Sequence, residues 1–396
     1  MKKSVRLAGM LAAFLLLCGC TAQGVAETVP NRPSQPTQAT QPTHSTQIAQ
    51  PTAPQTRPTS PDPVITEPES ESFVLSFAGD CTLGDNFDEE GKRGTYTWVV
   101  GKDYRYPFSN VRHLFEDDDM TFVNLECALT ESDPTEEEME ELKDHLFRFR
   151  GPVDYAKILS GSSVELASCA NNHSRDYGKQ GLEDTWAALE AENVQYASFG
   201  RSCVYTTESG LKVGVFTVFF NTSRSNLDNQ VKSLKNRGAE LIVMSVHWGD
   251  EGTYSPGSTQ KTLGRMAIDA GVDIVYGHHS HTLQPIEPYK GGIIYYSLGN
   301  FSFGGSRNPR DKDTAVIRQQ ILRYADGTVA LGQVEVVPCR ISTSDSWNDF
   351  RPTPYKPEDE GFHRVFSKVE GSFDGKDLVV SYPTIPTEPE KTEKNP

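Results

Sequence analysis

Three short apolar runs separated by one helical pattern most constrain how this chain can fold. The runs are Leu241–Val246, Val272–Tyr276 and Ile293–Tyr296, and each is β-branched or aromatic enough to form a buried strand. Between the first two, apolar residues of Gln260–Ala270 recur at helical spacing. Because strand, helix and strand in succession form a parallel pair, this stretch predicts an α/β fold with a mostly parallel sheet.

Histidines follow two of these predicted strands. His247 comes directly after the first strand, and His278, His279 and His281 come after the second. Ligands of α/β sheets gather at the carboxyl ends of the strands, and neutral imidazole is a common metal ligand. Any one of these histidines could be an ordinary surface or core residue, but the cluster predicts a metal site.

Two earlier strands are predicted to end at the same edge. The run Phe73–Ala78 alternates and then breaks, which makes Asp80 the first candidate carboxylate ligand. The run Met120–Val123 is followed by Asn124 and Glu126, which lie on one side if the strand continues. Either could reach a metal, and Glu126 is the stronger donor of charge.

A third strand, Val164–Ser168, is predicted before the sequence ANNHS. This places Asn171, Asn172 and His173 at the opening of a helix whose body is Leu182–Leu189. Asparagine is also a good helix cap, which is the alternative role for Asn171.

The chain begins with a processing signal. Basic residues precede an apolar run, Leu7–Leu17, that is too short to span a membrane, so residues 1–20 are predicted to be a secretory signal peptide. The sequence Leu-Cys-Gly-Cys resembles a bacterial lipobox, which implies a lipidated Cys20 and an extracytoplasmic, membrane-anchored lipoprotein. A plain cleaved signal peptide is the alternative.

Composition divides the rest of the chain. Residues 21–70 are rich in Pro, Thr and Gln and are predicted to be a disordered linker, residues 71–380 one folded domain, and residues 381–396 a disordered tail. The net charge of −16 argues against nucleic acid or anionic lipid as a direct partner. The acidic body therefore leaves the lipid as the predicted contact with the membrane.

The cysteines predict packing rather than metal binding. Five remain after the signal region, an odd number that cannot all pair within one chain, and no C-x-x-C spacing occurs. Cys81, Cys127 and Cys169 are each predicted to be small buried residues beside a strand end.

Several motifs together resemble one protein family. The sequences FAGDCTLG, FVNLE, ANNHSRDYGKQG, VHWGDE, GHHSHTLQPIE and YYSLGNFSF occur in that order up to Phe303. This set resembles the CapA family of capsule and poly-γ-glutamate synthesis proteins, which is similar in turn to the calcineurin-like metallophosphatases. The resemblance implies an α/β fold of four layers, an α/β/β/α sandwich of two sheets flanked by helices, with a site for two metal ions.

The resemblance also implies roles for individual residues. Glu126 matches the bridging carboxylate and His173 the general acid. The full set of implied ligands is Asp80, Glu126, Asn172, His247, His279 and His281. Two departures stand out: Thr82 occupies the place of a ligand histidine, and Asn-Leu-Glu replaces the usual bridging motif. One metal could thereby be lost or weakly held, unless Asn124 or His278 fills the gap.

The chemistry of these residues agrees with the resemblance. Imidazole, carboxylate and amide ligands without thiolate suit one or two ions of manganese, iron or zinc. His173 could protonate a leaving group. Asp176 either orients that imidazole or is an ordinary charge in the first turn of a helix. Ser297 and Asn300 are predicted to position the last loop of the site.

Three functions fit these residues. The resemblance implies a role in synthesis or export of a capsule polymer such as poly-γ-glutamate, with capsule-polymer synthesis proteins as partners. The alternatives are an extracytoplasmic metal-dependent hydrolase of phosphoesters or γ-glutamyl amides, and a binding module without catalysis.

The lipid anchor gives the first testable prediction. Cys20→Ser is expected to release the protein from washed membranes, because one tether and an acidic body leave nothing else to hold it. Immunoblotting of membrane and soluble fractions measures this, with Cys18→Ser as the matched control that stays bound. Retention of the Cys20→Ser protein on membranes would contradict the anchor.

Overall fold

The computed structural model of the chain describes residues 70–143 and 145–375. These residues fall in the unit Thr66–Pro396, and the other unit, Met1–Ile65, lies outside them. The predicted signal peptide with Cys20, the predicted linker up to residue 69 and the predicted tail also lie outside the described residues. No helix in the described part of the chain is long and apolar enough to cross a membrane.

The strands within the described residues alternate with helices for most of the chain. In chain order they are β1 (Ser70–Thr82), β2 (Asp85–Asn86), β3 (Met120–Leu125), β4 (Ala128–Leu129), β5 (Phe149–Gly151), β6 (Leu166–Cys169), β7 (Gln195–Ser198), β8 (Cys203–Thr206), β9 (Lys212–Phe219), β10 (Leu241–His247), β11 (Ile274–His278), β12 (Ile286–Tyr289), β13 (Gly292–Tyr295), β14 (Asn300–Phe303), β15 (Asp313–Tyr324), β16 (Val329–Arg340) and β17 (Thr353–Pro354).

The helices lie between the strands or after them. They are α1 (Tyr96–Val100), α2 (Arg112–Glu116), α3 (Glu136–Leu142), α4 (Ala156–Ser160), α5 (Gly178–Ala191), α6 (Arg224–Asn236), α7 (Ser258–Asp269) and α8 (Glu360–Val369). Side-chain caps mark the starts of α3 and α6. In α3, Thr135 and Glu138 form a capping box, and in α6 the Ser223 side chain accepts a hydrogen bond from the Asn226 N–H.

The first sheet has the order β17-β16-β15-β1-β3-β6-β7, and β14 also pairs with β1. The pairs β1–β3, β3–β6 and β6–β7 are parallel, so their carboxyl ends meet at one edge. The register shifts between Phe77 and Asp80 and then sets Asp80 beside both Asn124 and Asn300. The shift carries β1 past Asp80 to Thr82, beyond the end that the sequence pattern predicts.

The second sheet has the order β12-β13-β11-β10-β9-β8. Its four central strands are parallel, and the register sets His247 beside His278. Helix α7 connects β10 to β11 and begins within two residues of the predicted helix Gln260–Ala270. The predicted strand, helix and strand are therefore confirmed, with the histidines at the carboxyl ends.

Aromatic side chains hold the two sheets face to face. The ring centroids of Phe77 and Tyr276 lie 5.1 Å apart, and those of Phe122 and Tyr276 lie 5.0 Å apart. Phe77 also packs 5.8 Å from Tyr295. All four residues are fully buried, and burial of each such side chain contributes about 1.5–3 kcal/mol.

Helices cover both outer faces. Leu189 of α5 and Phe115 of α2 pack with the outer face of the first sheet. Leu227 of α6 and Leu263 of α7 pack with the outer face of the second sheet. The order of layers is therefore helices, sheet, sheet, helices, which confirms the predicted α/β/β/α sandwich.

The stretch after β6 differs from the prediction. Asn171–His173 do not open a helix but lie in a turn, and α5 begins only at Gly178. Gly178 has a φ of +67°, outside the right-handed helical region, so the helix cannot extend backward through it. A side chain there would also meet the Glu138 carboxylate, because a Cβ would lie 2.4 Å from it.

Three cysteines lie where the sequence predicts. Cys81, Cys127 and Cys169 are buried free thiols, and burial raises the pKa of Cys127 well above its usual range. These thiols therefore act as apolar packing residues. Among the described histidines that belong to none of the site motifs, His113, His145 and His363 are exposed.

The sheet also contains a carboxyl group that is costly to ionise. Burial raises the pKa of Glu165 from 4.5 to about 7, while its Oε2 accepts a hydrogen bond of 2.7 Å from the Thr121 N–H. The folded state therefore binds a proton that the unfolded chain releases between these pH values. Its stability falls as the pH rises through this window.

Glu165→Gln is expected to remove this pH dependence, because the amide oxygen can keep the hydrogen bond without a charge. Its gain in unfolding free energy over wild type should grow from pH 4.5 to above pH 7 and reach roughly 1–2 kcal/mol. Chemical denaturation at several pH values measures the difference. The exposed Glu358, changed to Gln, is the control. An equal gain at pH 4.5 and pH 8 would contradict the assignment.

Candidate metal centre

The carboxyl ends of both sheets meet at one buried cluster. Asp80 lies near the end of β1 and Glu126 directly follows β3. From the second sheet come His247 at the end of β10, and His279 and His281 in the loop after β11. The His247 Nε2 lies 3.4 Å from Glu126 Oε1, so the two sheets contribute to one site.

Asp80 is held by groups from β3 and from the loop after β11. Its Oδ1 accepts a hydrogen bond of 2.9 Å from the Asn124 side chain. Its Oδ2 lies 3.2 Å from His281 Nδ1 and accepts a hydrogen bond from the His279 N–H. Burial acts to raise the pKa of Asp80, but the hydrogen bond and charge of His281 outweigh it and the pKa is lowered. This carboxyl group is therefore kept ionised.

Several polar atoms of the cluster are buried without a hydrogen-bond partner among the described residues. They include both carboxylate oxygens of Glu126, both ring nitrogens of His247 and the Nδ1 of His279. An unpaired buried polar group costs about 1–3 kcal/mol, so five in one place call for a partner that is not part of the protein. Oxygen and imidazole nitrogen donors of this kind fit a divalent cation.

The pKa shifts support the same interpretation. Burial raises the pKa of Glu126 well above its usual range, and the Asp80 charge adds to the shift. Burial also lowers the pKa of His247 well below its usual range, with the neighbouring imidazoles adding to it. A neutral imidazole can donate its lone pair to a cation, and a bound cation would favour the ionised form of Glu126.

The candidate ligand atoms form three overlapping groups. Within each group, all the ligand atoms lie within 4.8 Å of one another. Glu126, His279 and His281 each occur in two of the groups, so the three groups form one connected cluster. The groups are Glu126 with His247 and His279, Asp80 with Glu126 and His281, and Glu251 with His279 and His281.

Glu251 was not among the residues that the sequence analysis selected. It lies in the loop after β10, within the VHWGDE motif, and is exposed. Its position four residues after the strand-end His247 was the available signal. Exposed acidic residues between glycines are common on protein surfaces, so only the fold shows that Glu251 approaches His279 and His281.

The loop that carries the histidines is conformationally strained. His279 has a φ of +91° and His281 a φ of +56°, values that are uncommon for residues other than glycine. Such strain persists where the surrounding structure imposes it, and it is concentrated at functional sites. Here it allows both imidazoles of an H-x-H sequence to face the cluster together.

The two residues that the sequence offered as extra ligands differ in their contacts. Asn124 donates to Asp80 and accepts a hydrogen bond of 3.1 Å from Asn171, so both ends of its amide are occupied. His278 Nε2 lies 2.9 Å from the Ser245 hydroxyl, while its buried Nδ1 lies 3.7 Å from Asp80 Oδ1 and has no hydrogen-bond partner among the described residues. Asn124 therefore orients Asp80, whereas His278 keeps one nitrogen that could serve a cation.

The turn after β6 contains the remaining predicted residues. The Asn171 Oδ1 accepts a hydrogen bond of 3.1 Å from the His173 N–H and so closes this turn, but Asn171 does not cap a helix, because α5 begins only at Gly178. The Asn172 Oδ1 is buried without a hydrogen-bond partner in the described structure, as a metal ligand requires. The Thr82 hydroxyl donates to the Glu126 carbonyl oxygen at 3.1 Å, where the resemblance led us to look for a histidine.

His173 and Asp176 form a buried pair. The His173 Nδ1 lies 2.7 Å from Asp176 Oδ2, and the same oxygen accepts a hydrogen bond of 2.7 Å from the Phe149 N–H. The Phe149 ring packs 4.3 Å from the imidazole. Asp176 therefore orients the imidazole, although the two residues lie in a turn and not in a helix.

The cluster opens into a cavity of about 420 Å³. His173 and His281 line it together with Glu251 and Asn300. The Asn300 Oδ1 lies 2.9 Å from His281 Nδ1, so Asn300 orients an imidazole of the loop after β11. A molecule in this cavity would contact both the candidate ligands His281 and Glu251 and the His173 side chain.

Comparison with known proteins gives a consistent family assignment. The family model described as "Bacterial capsule synthesis protein PGA_cap" matches residues 74–218 and 204–305, which include every candidate ligand. The capsule biosynthesis protein CapA of Bacillus anthracis is 29% identical over 298 residues, covering 69% of this chain and 68% of that protein. The PGA biosynthesis protein CapA of Bacillus subtilis is 28% identical over 318 residues, covering 75% of this chain and 77% of that protein.

Two other similarities are more partial. A probable polyglutamine synthesis accessory protein of Mycobacterium tuberculosis is 27% identical over 233 residues, covering 50% of this chain and 60% of that protein. Among solved structures, the NAD nucleotidase of Haemophilus influenzae matches with a TM-score of 0.37 and 9% identity. The match covers 76% of this chain and 63% of that protein.

The unpaired ring nitrogens of His247 give a prediction that separates a ligand from a structural residue. In metal-free protein, His247→Leu is expected to keep or raise stability, by about 1–3 kcal/mol, because it removes buried atoms without partners. The same change should abolish stabilisation by added Mn²⁺ or Zn²⁺, which for wild type reaches about 2.7 kcal/mol at 100 times Kd. Thermal unfolding of chelator-treated protein, with and without each metal, measures both effects.

His113→Leu is the matched control, because His113 is exposed and far from the motifs that form the cluster. It should keep the full metal-dependent stabilisation. A loss of several kcal/mol in metal-free His247→Leu protein would mean that His247 supports the fold instead of a metal.

Proposed function

Since the chain belongs to the bacterial capsule synthesis protein family PGA_cap, we propose that it takes part in the synthesis or export of a capsule polymer such as poly-γ-glutamate. The two Bacillus relatives support this proposal, because one is named for capsule biosynthesis and the other for PGA biosynthesis. The role depends on divalent metal held at the cluster of Asp80, Glu126 and the three histidines.

The observation that carries the metal-dependent role is the group of buried polar atoms without partners. Glu126 lies between His247 and His281, with contacts of 3.4 Å and 3.9 Å. This arrangement supports two adjacent ions that share Glu126. Nitrogen and oxygen donors without thiolate favour manganese, iron or zinc.

The location that we propose follows from the sequence. A lipidated Cys20 would hold the protein outside the cytoplasmic membrane, where a surface polymer is assembled or exported. The chain has a net charge of −16, so without the lipid anchor its folded domain would not bind to anionic lipid. Proteins that synthesise the polymer are the proposed partners.

The His173–Asp176 pair supports a second, more specific candidate: hydrolysis of a phosphoester or a γ-glutamyl amide. Divalent ions at the cluster would supply Lewis-acid polarisation of the scissile group and activation of water. Asp176 fixes the imidazole through Nδ1, which leaves Nε2 of His173 without a hydrogen-bond partner in the described residues. From there it can donate a proton to the leaving group.

The rest of the pocket favours such a reaction. Phe149 packs on the imidazole, and the Phe303 ring lies 4.9 Å from that of His281. These rings exclude water from the sides of the reacting groups and strengthen the electrostatic interactions within the site. Asp80 and Asn300 both contact His281, so this imidazole keeps one orientation during turnover.

The two candidates are distinguished by a pair of variants. His173→Gln is expected to keep wild-type metal content and fold while hydrolysis falls by about 10²–10⁴-fold, the usual contribution of a positioned proton donor. His279→Ala is expected to lose metal and, in cells, polymer production. Metal analysis, turnover of a model phosphodiester and of γ-glutamyl oligomers, and polymer yield from complemented cells are the measurements. His363→Ala, at an exposed position, is the control.

Each outcome decides between the roles. If His173→Gln loses metal as His279→Ala does, His173 is a ligand and not an acid. If polymer production requires His279 but not His173, and no substrate turns over, the protein acts as a metal-held binding or assembly component. If neither variant affects polymer production, the capsule role is wrong.

A further inference from the structure

The cavity beside the metal cluster has a chemical character of its own. One side consists of aromatic rings and another of polar residues from the loop between β14 and β15. Among the residues that line the cavity, Arg310 is the one Lys or Arg. The remaining wall residues of these two kinds are Phe147, Phe149, Phe303, Ser306 and Asn308.

Arg310 is exposed and has no hydrogen-bond or ion-pair partner among the described residues. Its neighbours in the chain differ. Asp311 is 2% exposed and accepts hydrogen bonds of 2.8 Å and 2.6 Å from the Lys368 Nζ. Asp313 is 1% exposed and is paired with both Lys368 and Arg364. The chain after Arg310 is thus fixed, while the Arg310 guanidinium forms no ion pair with the described residues and acts on Tyr254 only through its charge.

The guanidinium group lies across the loop that follows β10. A Cβ on Gly252 would lie 3.3 Å from the Arg310 Nη1, so a side chain at that position would crowd the guanidinium. Gly252 has a φ of +71° and directly follows Glu251, a candidate ligand. The Arg310 guanidinium therefore lies beside Gly252, the residue that directly follows the candidate ligand Glu251.

We propose that Arg310 binds a carboxylate of the substrate in this cavity. The substrate bond next to that carboxylate would then lie at the metal cluster. The inference rests on the proposed function and specifies its substrate class. A planar guanidinium binds a carboxylate through two parallel hydrogen bonds, which fix orientation as well as affinity. Because the following residues are held by buried ion pairs, little backbone entropy is lost when the carboxylate binds, and the ordering cost falls on the Arg310 side chain itself.

A γ-linked glutamyl chain has the matching chemistry. Each unit carries a free α-carboxylate, two methylene groups and a γ-amide. The carboxylate would contact Arg310, the methylene groups would lie against Phe149 and Phe303, and the amide would face the metal cluster. The positive charge of Arg310 would also reduce electrostatic repulsion, because a protein with net charge −16 otherwise repels an acidic polymer.

The test removes the positive charge of Arg310 from the protein and, separately, the α-carboxylate charges from the ligand, and it measures the effect of each change on Kd. The probes are a γ-glutamyl pentamer and the same pentamer with every α-carboxylate converted to a carboxamide. Calorimetry of the metal-loaded protein measures both Kd values. Wild type should bind the acidic pentamer at least about 10-fold more tightly, since a charged hydrogen-bond pair contributes about 1.5–3 kcal/mol.

Arg310→Gln is expected to weaken binding of the acidic pentamer by about 10–100-fold and to leave binding of the amidated pentamer unchanged. Arg307→Gln is the matched control. It removes a positive charge from the same loop, but Arg307 pairs with Glu89 and does not line the cavity. It should bind both pentamers as wild type does, and thermal unfolding confirms that each variant is folded.

The inference is overturned if Arg310→Gln weakens both pentamers equally, or if wild type binds neither or does not distinguish them. These outcomes are separate from failure of the proposed function. Binding requires no turnover, so a protein that selects the carboxylate but hydrolyses nothing would support carboxylate binding by Arg310 and refute only the hydrolase role. Conversely, metal-dependent polymer production without carboxylate selectivity would refute only the proposed role of Arg310.

Discussion

The contact between the two sheets is the interaction on which the rest of the structure depends. The Tyr276 hydroxyl, from the second sheet, donates to the carbonyl oxygens of Ala78 and Phe122 in the first. Its ring packs against Phe77 on one side and lies 4.1 Å from the His278 ring on another. This one residue therefore sets the spacing of the sheets directly beneath the metal cluster. Without that spacing, Glu126 and His247 would not approach each other.

The candidate metal centre lowers the free energy of unfolding of the metal-free protein. Buried atoms without partners and the strained backbone at His279 and His281 each oppose folding. A divalent cation would supply partners for most of these groups at once, so metal binding and folding are expected to be linked. The apolar layer between the sheets and the outer helical layers provide the stability that such a site needs.

The cavity joins three kinds of chemistry within a small space. A metal held by the cluster would supply polarisation of a bond, and we propose that the His173–Asp176 pair transfers a proton and that Arg310 orients an acidic substrate. Two separate polar networks hold these parts in place: Asn124, Asn171 and Asn300 around the cluster, and Lys368 with its two aspartates behind Arg310. The chain belongs to the bacterial capsule synthesis protein family, and this membership is the basis on which we propose a capsule polymer as the material handled.

The sequence by itself determined the local structure and the identity of most site residues. Period-two and helical spacing located β10, α7 and β11, and strand-end motifs identified Asp80, Glu126, His247, His279 and His281, because these patterns depend on neighbours close in the chain. Only the tertiary structure decided how those residues are used. The register shift in β1 sets Asn124 beside Asp80 and engages both ends of its amide, and Gly178 keeps His173 in a turn. Glu251 and Arg310 became recognisable only when loops after different strands met. Such contacts join residues far apart in the sequence, and they follow from the packing of two sheets, which no local pattern contains.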